Sequence, residues 1–270
     1  MRPMKSTIWL NQKSIKLAML VVLLVIITFW FILTPAGVDG KTGAAGYAVC
    51  HRIASHTLLV GGRLLPLCSR CTGMFLGTLI ALMVLAPNDK RSGSPPKMKI
   101  IVLGVFFLLF VVDGVNSALS LFPNIHPLYQ PSNLLRLITG LMMGIILANL
   151  LLPLWNQTLW VKQNKKPVLD TWKQFLMVML SEAVVGVMVW LDIPFLYYPI
   201  AILSTGTIIL ILGMVYSLLW IIVFNKENTF THFKEGHIFY LLGLITAFLQ
   251  IGLMDLLRYS ISGTWQGFHL

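Results

Sequence analysis

The three cysteines of this 270-residue chain fall in one short stretch, as a Cys50-His51 pair followed by Cys68 and Cys71 in the sequence Cys-Ser-Arg-Cys. A Cys-x-x-Cys turn supplies two ligands to a metal ion, and a Cys-His pair supplies two more. Together they match the tetrahedron of nitrogen and sulfur atoms that Zn²⁺ prefers. We therefore predict a zinc site with Cys50, His51, Cys68 and Cys71 as its ligands. A closed set of four ligands would be structural, whereas an open position would hold water and permit Lewis-acid chemistry.

The residues between the two pairs predict a β-hairpin that brings the pairs together. Residues 56–60 and 63–67 are short runs suited to strands, and the Gly61-Gly62 dipeptide between them suits the positive φ values of a tight turn. Such a hairpin places the Cys-His pair beside the Cys-x-x-Cys turn. His56 is an alternative ligand to His51, because adjacent residues seldom reach one metal ion without local strain.

Redox chemistry is the main rival to metal binding at the same thiols. In an oxidising compartment Cys68 and Cys71 would form a disulfide. They precede a predicted helix and flank Arg70, and both features stabilise a thiolate. Membrane thiol oxidoreductases coupled to quinones usually need a second cysteine pair, which Cys50 alone does not provide. Chance clustering of the thiols is the remaining interpretation.

The composition places these residues in a membrane protein. The chain is 57% hydrophobic and 11% charged, whereas a soluble domain carries about 25% charged residues. We predict an all-α integral membrane protein, one membrane domain over residues 1–270, in which a bundle of about seven transmembrane helices carries a small Cys/His hairpin in its first outside loop, residues 35–72. The predicted spans are residues 17–34, 72–87, 100–122, 133–155, 175–191, 199–224 and 238–260.

Basic residues in the loops predict how the chain is oriented in the cell membrane. The N-terminal tail, with Arg2 and Lys5, and every second loop are basic, so the positive-inside rule places the N-terminus in the cytoplasm and the C-terminus outside. The net charge of +11 is thereby attributed to membrane orientation and not to nucleic-acid binding. Arg52, Arg63 and Arg70 lie in a loop predicted to be outside, contrary to the positive-inside rule, so we expect them to line a site.

Ionisable residues inside the predicted spans indicate a polar chamber at the cysteine-bearing side. Asp113, Asn116, Arg136 and Asp255 lie toward the outer ends of their helices, and Glu182 lies deeper. A charge in a span costs roughly 2.5 to 3.5 kcal/mol on insertion scales, so each should face the interior and have a partner. We predict one chamber, capped by the hairpin, that takes an anionic lipid or a small ligand.

Several roles for these residues stay open at the level of sequence. Arg136, Arg63 and Arg70 suit an anionic head group, because the guanidinium fork matches phosphate and carboxylate. In a metal-assisted hydrolase or transferase, Asp113 is the candidate base and Arg136 the anion holder. In an ion- or proton-coupled transporter, Asp113, Glu182 and Asp255 would relay protons or cations. In a purely structural alternative, Asp113 pairs with Arg136 and locks two helices together.

Small residues four apart predict close packing of two helices. Gly73 and Gly77 lie in the second predicted span, and Gly140 and Gly144 lie in the fourth. Glycines at this spacing let helix backbones approach each other closely in a membrane.

The cysteine stretch resembles a family of prokaryotic membrane proteins. The resemblance rests on Cys50-His51, Gly61-Gly62, Pro66 and the run from Cys68 to Gly73, and it continues through Asp113-Gly114, Asn116, Arg136 and Thr139-Gly140. On these residues the chain is similar to domain-of-unknown-function family 2085, over roughly the second to fourth predicted spans. The resemblance implies a multi-pass membrane protein and implies no known activity.

Overall fold

The computed structural model describes residues 12–87, 89–122 and 126–268, and over these residues the protein is a bundle of helices. The basic tail residues Arg2 and Lys5 lie outside the described residues. The helices are α1 (Gln12–Leu33), α2 (Gly37–Tyr47), α3 (Ser69–Leu85), α4 (Lys97–Leu119), α5 (Asn133–Leu159), α6 (Trp172–Trp190), α7 (Tyr197–Val223) and α8 (Phe233–Ser262). The strands are β1 (Leu59–Val60), β2 (Arg63–Leu64), β3 (Arg91–Gly93) and β4 (Asn164–Pro167).

The helices confirm the prediction of an all-α membrane protein. Within the described chain, six helices are long and apolar enough to cross a membrane, namely α1 and α4 to α8. The remaining predicted span, residues 72–87, corresponds to α3, which is apolar but only 17 residues long. At 1.5 Å per residue it extends about 26 Å, slightly less than the hydrocarbon thickness.

The predicted outside loop, residues 35–72, contains a helix that the sequence analysis missed. Its sequence in α2 is glycine-rich and polar, which is typical of a loop, yet the residues from Thr42 to Tyr47 are buried. A Cβ on Gly46 would lie 2.3 Å from the carbonyl oxygen of Pro66. The missing side chain therefore lets the end of α2 rest against the backbone just before Cys68.

The predicted hairpin between the cysteine pairs is confirmed. Strands β1 and β2 pair antiparallel, with Leu59 opposite Leu64. The two turn residues, Gly61 and Gly62, have φ values of 60° and 73°, as a tight turn with two left-handed residues requires.

Helices α3 and α5 touch backbone to backbone at the four glycines that the sequence analysis identified. A Cβ on Gly73 would lie 2.3 Å from the carbonyl oxygen of Leu137, and one on Gly140 would lie 2.2 Å from that of Arg70. Further along, a Cβ on Gly77 would lie 2.9 Å from the carbonyl oxygen of Leu141, and one on Gly144 would lie 2.5 Å from the backbone nitrogen of Thr78. The first turn of α3, which carries two of the cysteines, is thereby held against the first turns of α5.

The helices leave the hairpin and α2 at one end of the bundle, which we call the cysteine end. It includes the last turns of α1, α4, α6 and α8 and the first turns of α3, α5 and α7. The hairpin is joined to neighbouring loops there, since the backbone N–H of Gly61 donates to Asp192 Oδ1 over 2.6 Å. At the opposite end, β3 pairs parallel with β4.

The glycine contact predicts that one added methyl group will destabilise the bundle. In Gly140→Ala the new Cβ overlaps the Arg70 carbonyl, and overpacking of this kind costs typically 1–3 kcal/mol. We expect a decrease of about that size in the free energy of unfolding in detergent. The matched control is Gly104→Ala in α4, where a Cβ meets nothing within 4 Å and stability should be unchanged. Equal stability of the two variants would contradict the packing described here.

Candidate metal centre

The three cysteine sulfurs form one cluster at the cysteine end. The Sγ atoms of Cys50, Cys68 and Cys71 all lie within 4.8 Å of one another, and all three residues are free thiols. Cys50 and Cys68 are buried, and Cys71 is partly buried. Three sulfurs bound to one zinc ion at about 2.3 Å would be separated by roughly 3.8 Å, so modest side-chain rotation would bring the cluster to that geometry.

Local structure around each cysteine explains why the cluster forms. Cys68 is the N-cap of α3, and Cys71 follows in the first turn of that helix. The hydroxyl of Ser69 donates to the His56 carbonyl over 2.9 Å, which ties this turn to the start of the hairpin. Cys50 follows α2, where its N–H donates to the Gly46 carbonyl over 2.9 Å.

The hydrogen bonds within the cluster favour a thiolate on Cys50. The backbone N–H of Cys68 donates to the Cys50 sulfur over 3.3 Å, a contact that stabilises negative charge there. The side chains of Cys68 and Cys71, and then this N–H, lower the pKa of the Cys50 thiol well below its ordinary value. The side-chain hydrogen bond between Cys68 and Cys50 is the main cause that raises the pKa of Cys68. The cluster therefore holds its first negative charge readily and resists a second, unless a cation binds.

Neither predicted histidine ligand joins the sulfur cluster in the described structure. Nδ1 of His51 instead accepts a hydrogen bond from the backbone N–H of Ile53 over 3.0 Å, and its ring stands edge-on to that of His56. Burial is the main cause that lowers the pKa of His51, and burial followed by the charge of Arg136 lowers that of His56 to about 4. Both rings are therefore neutral near pH 7.

A network of polar side chains lies beside the cluster and is organised by Arg70, the arginine of the Cys-Ser-Arg-Cys turn. Its Nη2 donates to the Asp113 carboxylate, to the Asp113 carbonyl over 2.9 Å and to Ser117 Oγ over 3.0 Å. Asp113 also accepts from Tyr129 over 3.0 Å and from Thr139 over 3.3 Å. Asp113 is thus the counter-ion of Arg70, and not of Arg136 as the structural alternative had it.

Arg136 is a buried arginine with no carboxylate partner among the residues that the structure describes. Its Nε donates to Ser117 over 3.2 Å and its Nη1 to Asn133 over 2.8 Å. A buried charge that has hydrogen bonds but no counter-ion makes its surroundings positive. This part of the chamber therefore favours an anion.

A cavity of about 300 Å³ opens between the histidines and this network. His51, His56, Arg70 and Ser117 contribute its polar lining. Arg136 donates to Ser117 Oγ but does not itself line the cavity, so it would affect a ligand in the cavity through its charge. The catalytic roles predicted for Asp113 and Arg136 stay predictions.

Arg258 and Arg52 fix the loop that carries Cys50 through contacts that residue spacing did not predict. Arg258 of α8 donates to the carbonyls of Tyr47, Cys50 and His51, over 2.6, 2.5 and 3.1 Å. Arg52 donates to the Trp265 carbonyl over 3.0 Å. An arginine inside the last predicted span was the signal that could have indicated Arg258, because a charge in a span usually marks a site.

The single polar chamber predicted from sequence is divided in the structure. Arg63 lies on the surface, where it pairs with Asp39 over 3.4 Å, and so it is not part of the cavity. Asp255 accepts a hydrogen bond from Trp30 between α1 and α8. Glu182 of α6 lies near Gly77 in the middle of the bundle, with its Oε1 buried. The ionisable residues that were predicted to share one chamber therefore lie in four separate places, counting the network of Arg70 and Asp113.

Comparison with known proteins matches the part of the chain that contains the cluster. A family model described as "Predicted membrane protein (DUF2085)" matches residues 50–150. An uncharacterized protein of Methanothermobacter thermautotrophicus is 32% identical over 103 residues, which are 37% of this chain and 81% of that protein. An uncharacterized protein of Methanocaldococcus jannaschii is 25% identical over 117 residues, which are 42% of this chain and 68% of that protein. No solved structure matches the chain.

Proposed function

The chain belongs to the DUF2085 family of predicted membrane proteins, and we propose that within this family segment it binds a zinc-type metal ion through the thiolates of Cys50, Cys68 and Cys71. The observation that carries the proposal is the cluster of three buried or half-buried sulfurs within 4.8 Å of one another. Thiolates select soft or borderline ions, of which Zn²⁺ is the common structural and catalytic example.

The charges around the cluster support a bound cation with three thiolates. Four arginines and one aspartate lie around it, so three positive charges are in excess before the cysteines are counted: Arg52, Arg70, Arg136, Arg258 and Asp113. A divalent ion with three thiolates carries one negative charge and offsets a third of this excess. Two positive charges remain, and an anionic ligand would neutralise part of them.

The ligand set leaves a fourth coordination position for a group from outside the cluster. No fourth cysteine, histidine or carboxylate of the described chain lies with the three sulfurs. Zinc sites with three protein ligands and an open position are typically catalytic. We propose that the cavity beside Arg70 takes an anionic lipid head group or a small anionic ligand, and that metal-assisted hydrolysis or group transfer on that ligand is the enzymatic form of the function.

The proposed orientation puts this site at the outer surface of the membrane. The end of the bundle opposite the cysteines carries exposed lysines, which by the positive-inside rule face the cytoplasm: Lys97, Lys162, Lys165, Lys166, Lys173, Lys226 and Lys234. At the cysteine end, Arg70, Arg136 and Arg258 are instead held in hydrogen bonds inside the protein.

Thiol–disulfide exchange is the second candidate, and the geometry of the helix end favours it. Cys68 and Cys71 lie at the N-terminus of α3, where the helix dipole stabilises a thiolate. Cys50 has no required part in such a pair. The two proposals therefore differ in what they require of Cys50.

Substitution of each cysteine will separate these two functions. In the metal proposal, Cys50→Ser, Cys68→Ser and Cys71→Ser each reduce bound zinc at least tenfold, because each removes one of three ligands. His51→Ala is the matched control, and we expect it to keep its metal because neither nitrogen of the His51 ring lies with the three sulfurs. The measurement is elemental analysis of detergent-purified protein, with thiols counted before and after a reductant.

Two results of this experiment would change the account. In one result, the wild type contains no metal, and two of its thiols are detected only after a reductant is added. If Cys50→Ser behaves in the same way, Cys68 and Cys71 form a redox pair and the metal proposal is wrong. Loss of metal in His51→Ala, to the extent seen for the cysteine variants, would show that the ring turns and closes a Cys₃His site.

The anion proposal predicts that the unpaired charge of Arg136 strengthens ligand binding. We expect Arg136→Met to weaken binding of glycerol phosphate, measured by calorimetry, at least fivefold, because a buried positive charge near the cavity is lost. Arg63→Met removes an exposed arginine that already pairs with Asp39 and should leave the affinity unchanged. Equal affinities for both variants would argue against an anion site in this cavity.

A further inference from the structure

A second and larger cavity lies between α1 and α8 and is separate from the metal centre. Its volume is about 670 Å³. The wall is formed almost wholly by apolar and aromatic side chains, among them Phe29, Trp30, Phe248, Tyr259 and Trp265. We call this cavity the α1–α8 crevice. Because almost all of its lining comes from two membrane-spanning helices, molecules dissolved in the bilayer can reach it.

One polar group in the crevice lacks a partner. Asp255 is only 3% exposed, and its Oδ2 accepts from Nε1 of Trp30 over 2.9 Å. The other oxygen, Oδ1, is buried and has no hydrogen-bond partner among the described residues. A buried acceptor without a donor costs about 1–3 kcal/mol, so the site favours a molecule that brings a donor.

The lining also restricts the charge of that donor. The residues that line the crevice include no lysine, arginine or histidine, so a phosphate or carboxylate there would lie beside the Asp255 carboxylate with no cationic side chain in contact with it. Arg258 follows three residues after Asp255 on the same helix and already supplies a positive charge nearby. A second cation would be repelled by it. A neutral donor, such as a hydroxyl group, satisfies both restrictions.

The length of the crevice indicates the kind of apolar chain that fits. Lining residues on α8 run from Phe248 to Tyr259, and those on α1 run from Val25 to Leu33. At 1.5 Å per residue, the distance from Asp255 to the inner end at Phe248 is about 10 Å, which an extended chain of roughly eight methylene groups covers. The polar end of such a molecule would lie near the cysteine end of the bundle.

We propose that the α1–α8 crevice binds a membrane-dissolved lipid alcohol, whose hydroxyl group donates a hydrogen bond to Oδ1 of Asp255 and whose chain lies along Phe29 and Phe248. The apolar wall provides affinity for the chain. The single unsatisfied oxygen selects the head group.

The test uses the full chain in lipid nanodiscs and a photoactivatable dodecanol that carries a diazirine on its chain. Labelling of α1 and α8 is located by mass spectrometry, and the competitors are 1-dodecanol, dodecyl methyl ether, dodecanoate and dodecylamine. We expect saturable labelling and competition by 1-dodecanol at about tenfold lower concentration than by the ether, which has the same chain but no donor.

Three variants test the crevice itself. Gly252→Leu fills it, since a Cβ there meets only Trp30 at 4.0 Å, and should abolish labelling while the bundle remains folded. Gly206→Leu adds the same side chain to α7, where nothing lies within 4 Å, and should label as the wild type does. Asp255→Leu should keep chain binding and lose the preference for alcohol over ether.

Several outcomes would overturn the proposal, even if Asp255→Leu failed to fold. Equal competition by alcohol and ether in the wild type would remove the role of Oδ1. Stronger competition by the amine or the carboxylate would show that the occupant is charged. Labelling that does not saturate, or that persists in Gly252→Leu, would show that bulk lipid alone fills the crevice.

Discussion

The backbones of α3 and α5 meet at glycines, and the arrangement of the cysteine end depends on that contact. Gly140 packs against the Arg70 carbonyl so closely that no side chain fits between them. Arg70 lies between Cys68 and Cys71, so the same contact positions both thiols relative to α5. Arg136 and Thr139, on the same turns of α5, are thereby brought to the polar network. A membrane supplies no hydrophobic force between helices, and close backbone packing is one of the few interactions that can replace it.

The electrostatics of the site follow from this placement. Arg70 is neutralised by Asp113, whereas Arg136 donates to the hydroxyl of Ser117 and the amide oxygen of Asn133 and has no carboxylate partner among the described residues. Thiolates are the remaining groups that can carry negative charge there, and hydrogen bonding from the Cys68 N–H favours one on Cys50. A metal ion permits all three thiols to ionise, because it offsets their mutual repulsion. The proposed metal therefore lets the thiols become thiolates, and the thiolates in turn balance the positive charge of the arginines around the cluster.

Much of the architecture could be predicted because it depends on local sequence. Apolar runs indicated all seven long helical segments, and Gly61-Gly62 indicated the hairpin. The glycine pairs indicated close packing, which the structure shows between α3 and α5. Helix α2 was missed because its sequence resembles a loop, and it is stabilised by tertiary contacts such as that of Gly46 with Pro66.

The details of the site could not be read from the sequence, because they depend on which helices are neighbours. Asp113 pairs with Arg70 and not with Arg136. Asp255 accepts a hydrogen bond from Trp30 of α1, which is 225 residues away in the sequence. The orientation of the His51 ring likewise depends on a turn at Ile53 that residue spacing does not reveal.

X-ray absorption at the zinc K-edge of the purified protein tests the central claim most directly, because it reports the number and kind of atoms around the metal. We predict three sulfur atoms at about 2.3 Å and one oxygen or nitrogen atom at about 2.0–2.2 Å, without the multiple-scattering signal of an imidazole ring. A first shell of oxygen and nitrogen atoms with fewer than three sulfurs would contradict a metal centre built from Cys50, Cys68 and Cys71.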